Sequence, residues 1–163
     1  MPRFALLLLL ACLGRPAWAR PDGPALYARH CAACHGADLA GQPRWNRANA
    51  AGRLPAPPLD GSGHAWQHSD AALAEMVAHS MAATAPPGYQ TDMPAFAGVL
   101  SAAEIAAVVD YVKSRWPLGT RASQALLNPD GAAAFARIMA QAGPDENWTF
   151  PPECLPPGSR LGD

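Results

Sequence analysis

Five consecutive residues, Cys31-Ala32-Ala33-Cys34-His35, carry the densest chemistry in the chain. Two thiols separated by two residues and followed directly by an imidazole form C-x-x-C-H, the pattern of covalent haem attachment. Each thiol can add across a vinyl group of the porphyrin to leave a thioether, and the spacer sets the distance between the anchors. The histidine is carried beneath the ring, where one of its nitrogens can bind the iron. Two other chemistries use C-x-x-C. A thiol redox pair calls for a thioredoxin-like βαβ pattern, which the sequence lacks. A zinc site calls for a second ligand pair at finger-like spacing, and His64 and His68 lie too far downstream for that.

Other residues have types that suit the same group. Met93 precedes Pro94, so its backbone is pushed away from the helical region and its thioether sits on a braced loop that can point at an iron. Met76, Met81 and Met139 fall on helical stripes, where methionine packs cores. His30 is too close to the attachment point to reach the far face, and His64, His68 and His79 are the alternative distal ligands. In Pro57-Pro58-Leu59-Asp60-Gly61, a proline carbonyl on a rigid turn can accept the Nδ1 proton of His35 and orient its ring, with Leu59 facing the porphyrin. Arg44, Arg47 and Arg53 share the irregular segment before it with Trp45. Guanidinium forks and an indole N–H match carboxylates, which makes Arg44, Trp45 and Arg47 candidates for holding haem propionates.

The elements that must position these residues are short helices. Asp22 to His35 reads as one helix running into the C-x-x-C-H motif, with Asp22 as N-cap and Pro24 in the first turn. Eight prolines and glycines between Ala37 and Gln67 argue against long elements there. Ser69 or Asp70 opens a helix to about Met81, with Leu73, Met76, Val77 and Met81 on its apolar face. Ser101 and Glu104 form a capping box for a helix carrying Ile105, Val108, Val109, Val112 and Trp116, stopped by Pro117. Val108 and Tyr111 can cross the Gly23/Tyr27 face, where glycine allows close approach. Beyond Pro117, Asn128-Pro129 is predicted to cap a helix to about Ala142 with Phe135, Ile138 and Met139 on one stripe. Asp145 to Asp163 is predicted to be extended and non-helical.

The first residues read as an export signal. Arg3 supplies the positive region, Phe4 to Leu13 the apolar region, and Ala17-Trp18-Ala19 the cleavage site, so residues 1–19 are assigned as a signal peptide and Arg20 as the mature start. The apolar run falls short of the roughly 20 residues a bilayer span needs, and no other stretch could cross a membrane. An alternative reading takes Leu9-Leu10-Ala11-Cys12 as a lipoprotein box with a lipid anchor on Cys12. Export agrees with thioether chemistry, which bacteria perform outside the cytoplasm, and points to the periplasm. Cys154 is then left as an odd cysteine in an oxidising compartment. Loss of Arg3 and Arg15 with the leader leaves ten Lys and Arg against thirteen Asp and Glu, a formal charge of −3 with Lys113 the single lysine. That balance carries no nucleic-acid footprint and no lysine ring for steering.

Taken together, Gly23 and Tyr27, the C-x-x-C-H run with Gly36, Pro57 with Leu59 and Gly61, Met93-Pro94, and the closing helix with Val108 and Tyr111 stand in the order found in class I cytochromes c, small bacterial monohaem electron carriers, which the chain resembles from about Asp22 to Trp116. The resemblance implies an all-α fold of short helices around one covalent haem c. It implies thioethers at Cys31 and Cys34, His35 and Met93 as proximal and distal iron ligands, and crossing first and last helices. It implies a carrier of single electrons between redox partner proteins rather than an enzyme. Residues 20–117 form the cytochrome domain in this reading and residues 118–163 an extension absent from the minimal fold. The alternatives are a haem subunit of a larger dehydrogenase or oxidase, and a ligand sensor or peroxidase with an open sixth position.

Overall fold

Asp22 begins the first helix by accepting a hydrogen bond from Ala25 N at 3.1 Å, and Pro24 fits the first turn because its missing N–H is not needed there. In the computed structural model, which describes residues 20–142, this helix is α1 (Gly23–His30). The chain then turns at Cys31 and resumes as α2 (Ala32–His35), so the sequence expectation of one continuous helix is corrected to two. Cys31 keeps a right-handed backbone but with φ stretched to −119°, while its side chain packs, partly buried, on the central core.

An irregular stretch follows, closed by a single 3-10 turn at Ala65–Gln67. Its backbone folds on itself at Leu39, whose side chain is buried and whose carbonyl accepts from Leu59 N at 2.8 Å. Next come α3 (Asp70–His79), capped by the Ser69 hydroxyl, and α4 (Met81–Thr84). The expected helix to Met81 is broken at Ser80, which adopts φ +70° and is buried with its hydroxyl donating to the Met93 carbonyl at 2.6 Å. The last carbonyls of α3 are taken by the following loop. Phe96 N bonds to Val77 and Ala78 O at 3.1 and 3.0 Å, and Ala97 N to Ala78 O at 3.0 Å.

The clearest sequence signal is also the best-formed element. In α5 (Ala102–Ser114), Ser101 and Glu104 make both bonds of the capping box, and those bonds hold the Glu104 carboxyl below the usual carboxylate range. Its face Ile105, Val108, Val109 and Val112 is buried. One core cluster gathers Tyr27, Leu39, Ala65, Trp66, Val108, Val112 and Trp116, and a second gathers Phe96, Leu100 and Ile105. Leu26 packs against both.

Helices α1 and α5 cross where the sequence places glycine. A Cβ on Gly23 would lie 2.3 Å from Ala107 O, and Tyr27 and Tyr111 meet one turn further on with ring centroids 5.2 Å apart.

Among the described residues two helices follow Pro117. The first, α6 (Leu118–Ala125), has no counterpart in the sequence expectations, and the second, α7 (Gly131–Met139), is shorter than the predicted 128–142. Helix α6 buries Gly119, Thr120, Ala122, Gln124 and Ala125. Gln124 is 0% exposed and donates to His68 O at 3.1 Å and to Asp70 Oδ1 at 2.7 Å. Lys113 holds the same carboxylate from α5 at 2.6 Å. Asn128 does not cap α7; its Oδ1 accepts from Asp70 N at 2.8 Å, so it serves the first turn of α3 instead. The Phe135/Ile138/Met139 stripe is half-buried, and α7 packs against α6. Among the described residues no helix is long and apolar enough to cross a membrane. The expectations for the leader, Cys12, Cys154 and the segment 145–163 lie outside the described residues.

Gly23→Ala should destabilise the folded protein by about 1–3 kcal/mol, because a backbone carbonyl blocks the new methyl. Gly52→Ala, at φ +75° but with nothing within 4 Å of a Cβ, should cost only the backbone strain, about 1 kcal/mol. Urea unfolding midpoints compare the two, and equal losses would deny the interhelical contact its special weight. In the same assay Gln124→Ala should cost about 1–3 kcal/mol by leaving buried partners unmet, and a chain ending at Leu118 should lose more.

Candidate functional site

Helix α1 delivers the C-x-x-C-H run by being anchored at its own middle. Tyr27 is 2% exposed, and its hydroxyl donates to Gly36 O at 2.7 Å, one residue past His35. Burial, with the Cys31 thiol next in importance, pushes the Tyr27 phenol well above its ordinary range, so it remains a donor. Gly36 sits at φ +81°, which lets the chain turn away directly after the histidine.

The two thiols are free and lie in different surroundings: Cys31 is partly buried and Cys34 is exposed. Burial, with a smaller contribution from Cys34, pushes the Cys31 thiol up to about 11, so it stays protonated at neutral pH. His35 is half-buried, and its Nδ1 lies 2.9 Å from the Pro57 carbonyl. A carbonyl can only accept, so Nδ1 carries the proton and the lone pair is left on Nε2. Burial lowers the His35 pKa against the opposing pull of that hydrogen bond, which keeps the ring neutral to lower pH than a free imidazole.

Pro57 is held from several sides. Gly41 and Gly63 pass so close to the Pro57-Pro58 backbone that a Cβ on either would come within 2.5 or 2.1 Å of Pro58 atoms. Leu59 packs against the Tyr27 core together with Cys31 and Ala32, and its carbonyl accepts from Trp116 Nε1 at 2.8 Å. The expected pairing of His35 with the proline turn is therefore present, and the closing indole adds a brace that the sequence reading did not anticipate.

Met93 is half-buried on a loop whose polar backbone groups are both engaged. Its N–H donates to Thr91 Oγ1 at 3.1 Å and its carbonyl accepts from the Ser80 hydroxyl. Met76 and Met81 are half-buried on α3 and α4. Of the alternative distal ligands, His79 lies exposed beside Glu75, while His64 and His68 stand edge to face with centroids 5.8 Å apart. Burial first, and the neighbouring His64 second, lower the His68 pKa.

The arginine segment divides. Arg44 and Arg47 are exposed and line a surface cavity of about 380 Å³ with Asn49 and Pro55. Trp45 stacks on His64 at 6.0 Å with the rings 19° apart. Arg53, the third arginine, reaches across to form an ion pair with Asp92, next to Met93, while its buried Nε has no hydrogen-bond partner among the described residues. Those two residues are 39 apart in sequence, and no local pattern announces their meeting. This donor set fits a haem: two free thiols, an imidazole with its spare nitrogen unprotonated, a thioether on a pinned loop, and a buried guanidinium N–H able to meet a carboxylate.

Comparison with known proteins agrees with that chemistry. The family model for cytochrome c matches residues 21–116. The FixP subunit of the cbb3-type cytochrome c oxidase of Azorhizobium caulinodans is 31% identical over 96 residues, which cover 59% of this chain and 29% of that relative. The chain thus spans less than a third of the relative's length. No solved structure matches. The family match takes in every helix from α1 to α5 and stops at Trp116, so the chain belongs to the cytochrome c family and carries a covalently bound haem c.

Proposed function

We propose that the protein is an exported monohaem cytochrome that carries single electrons, with thioethers at Cys31 and Cys34 and with His35 and Met93 as the axial iron ligands. The observation that carries this reading is the hydrogen bond of His35 Nδ1 to Pro57 O, which presents Nε2 as a neutral ligand on a residue next to two free thiols. Bound haem c supplies a one-electron iron couple, and a His/Met pair raises its potential. The residues of this chain do the rest. Each thiol gives its hydrogen and sulfur to one vinyl group, Leu59 and the half-buried stripe Leu73/Met76/Val77 of α3 offer apolar cover, and Ser80 and Thr91 hold the Met93 backbone. Arg44, Trp45 and Arg47 remain the sequence candidates for the propionates, but the buried, unpartnered Nε makes Arg53 the better one. With both axial positions filled, outer-sphere electron transfer to partner proteins is the function, and sensing or peroxidase chemistry at an open iron is disfavoured.

A second reading is a haem subunit of a larger oxidase or dehydrogenase. It is favoured by the oxidase-subunit identity of the relative and by Leu126 and Leu127, exposed by 55% and 49% between α6 and α7. A free shuttle should leave the periplasmic fraction at the size of one chain, whereas a subunit should emerge from solubilised membranes with its enzyme.

Haem staining of a denaturing gel should mark the chain, and Cys31→Ala with Cys34→Ala should abolish the stain and most helical circular dichroism. Met93→Ala should remove the weak near-infrared sulfur-to-iron band of the ferric protein and admit cyanide. If Met76→Ala or Met81→Ala does this instead, the ligand loop has been misassigned.

A further inference from the structure

The loop that carries Met93 is held unequally at its two ends. On the C-terminal side Phe96 and Ala97 are bonded to the last carbonyls of α3, and Phe96 is buried in the second core cluster. On the N-terminal side, Tyr89 N returns only to Pro86 O at 3.1 Å, a bond within the same turn. Gly88 nearby sits at φ +87° in open space. The tie from that side to another part of the molecule is the ion pair of Asp92 with Arg53. Other ion pairs among the described residues serve elsewhere: Lys113 with Asp70 joins α5 to α3, Arg137 pairs with Asp130 beside α7, and His79 with Glu75 stays on α3.

Arg53 is a firm base for such a tie. Its backbone N–H donates to Asn49 Oδ1 at 3.0 Å, and its carbonyl accepts from Asn49 N at 2.9 Å, closing a small turn under the guanidinium. Its side chain is 39% exposed against 63% for Asp92, so the arginine is the more fixed partner.

We propose that Arg53 and Asp92 form an ionic latch that sets how readily the Met93 side of the haem opens, and hence how easily an external ligand displaces the methionine. Both are positioning residues acting through Met93. The inference rests on Met93 being the distal ligand. An exposed pair is worth little in energy, but here the whole of it falls on the free end of one short loop. Its strength falls with added salt, because much of the pair faces water.

The test uses the haem-loaded full chain in the ferric state and imidazole as the probe, following loss of the sulfur-to-iron band. Arg53→Gln and Asp92→Asn should each tighten imidazole binding by about two- to fivefold, the range of an exposed ion pair. The double variant should do no more than Arg53→Gln alone, because Asp92→Asn then removes only a contact that is already lost. Arg53→Lys should recover most of the wild-type value, and at roughly 1 M salt the differences should close. Hydrogen exchange of the amides from Tyr89 to Met93 should quicken in both single variants. Imidazole affinities within about 1.5-fold of wild type in both, or an additive double variant, would overturn the latch. If Met93→Ala leaves imidazole affinity unchanged, Met93 is not the ligand. That separate result removes the distal assignment and the latch together.

Discussion

The contact of α1 with α5 at Gly23 is the constraint on which the rest depends. Backbone meets backbone there, since a Cβ would lie 2.3 Å from a carbonyl oxygen of α5. That approach lets Tyr27 sink against Tyr111 and the α5 valines, and Tyr27 in turn ties the end of α2 through Gly36 O. The position of the thiols and of His35 is thereby set by helix packing and not by the loop that follows them. A larger residue at 23 would lift α1 and carry the two thiols and His35 away from the proline turn.

The second support runs through the backbone of the irregular segment. His35 leans on Pro57 O, Leu59 O takes the Trp116 indole, and Trp116 stands at the end of α5. The C-terminal half of α5 therefore bears on the His35 side of the site twice, through Tyr27 and through the indole. The Met93 loop is arranged differently, through side chains: a buried serine hydroxyl, a threonine oxygen and an exposed ion pair. Side-chain tethers of that kind yield more easily than packed helices, so the Met93 loop is the softer of the two supports.

Most of the cytochrome domain was legible in the sequence because its signals are local. C-x-x-C-H, the capping box at Ser101, the Pro57 carbonyl and the Gly23/Tyr27 face each need only a few residues to declare themselves. The reading failed where the physics is not local. Helix α6 buries a glycine, a threonine, a glutamine and two alanines, so it shows no stripe of large apolar residues. Ser80 looks like a permissible helix residue, but in the fold its hydroxyl serves the Met93 carbonyl and its φ is positive. Asn128-Pro129 has the form of a cap, but the asparagine is used by α3 instead. Trp45 stacks on a histidine, and the arginine that reaches the Met93 loop was the one not singled out for the site.

The seating of α6 bears on how the protein can be used by others. Gln124, wholly buried between His68 and Asp70, makes this helix a mount and not a strap. A partner that grips α7 through its half-exposed stripe would then be held at a set orientation to the haem, as a bearing holds a shaft. A flexible linker raises the local concentration of a partner but leaves its angle free. For such a partner, separation and angle would both be given by the packing of α6.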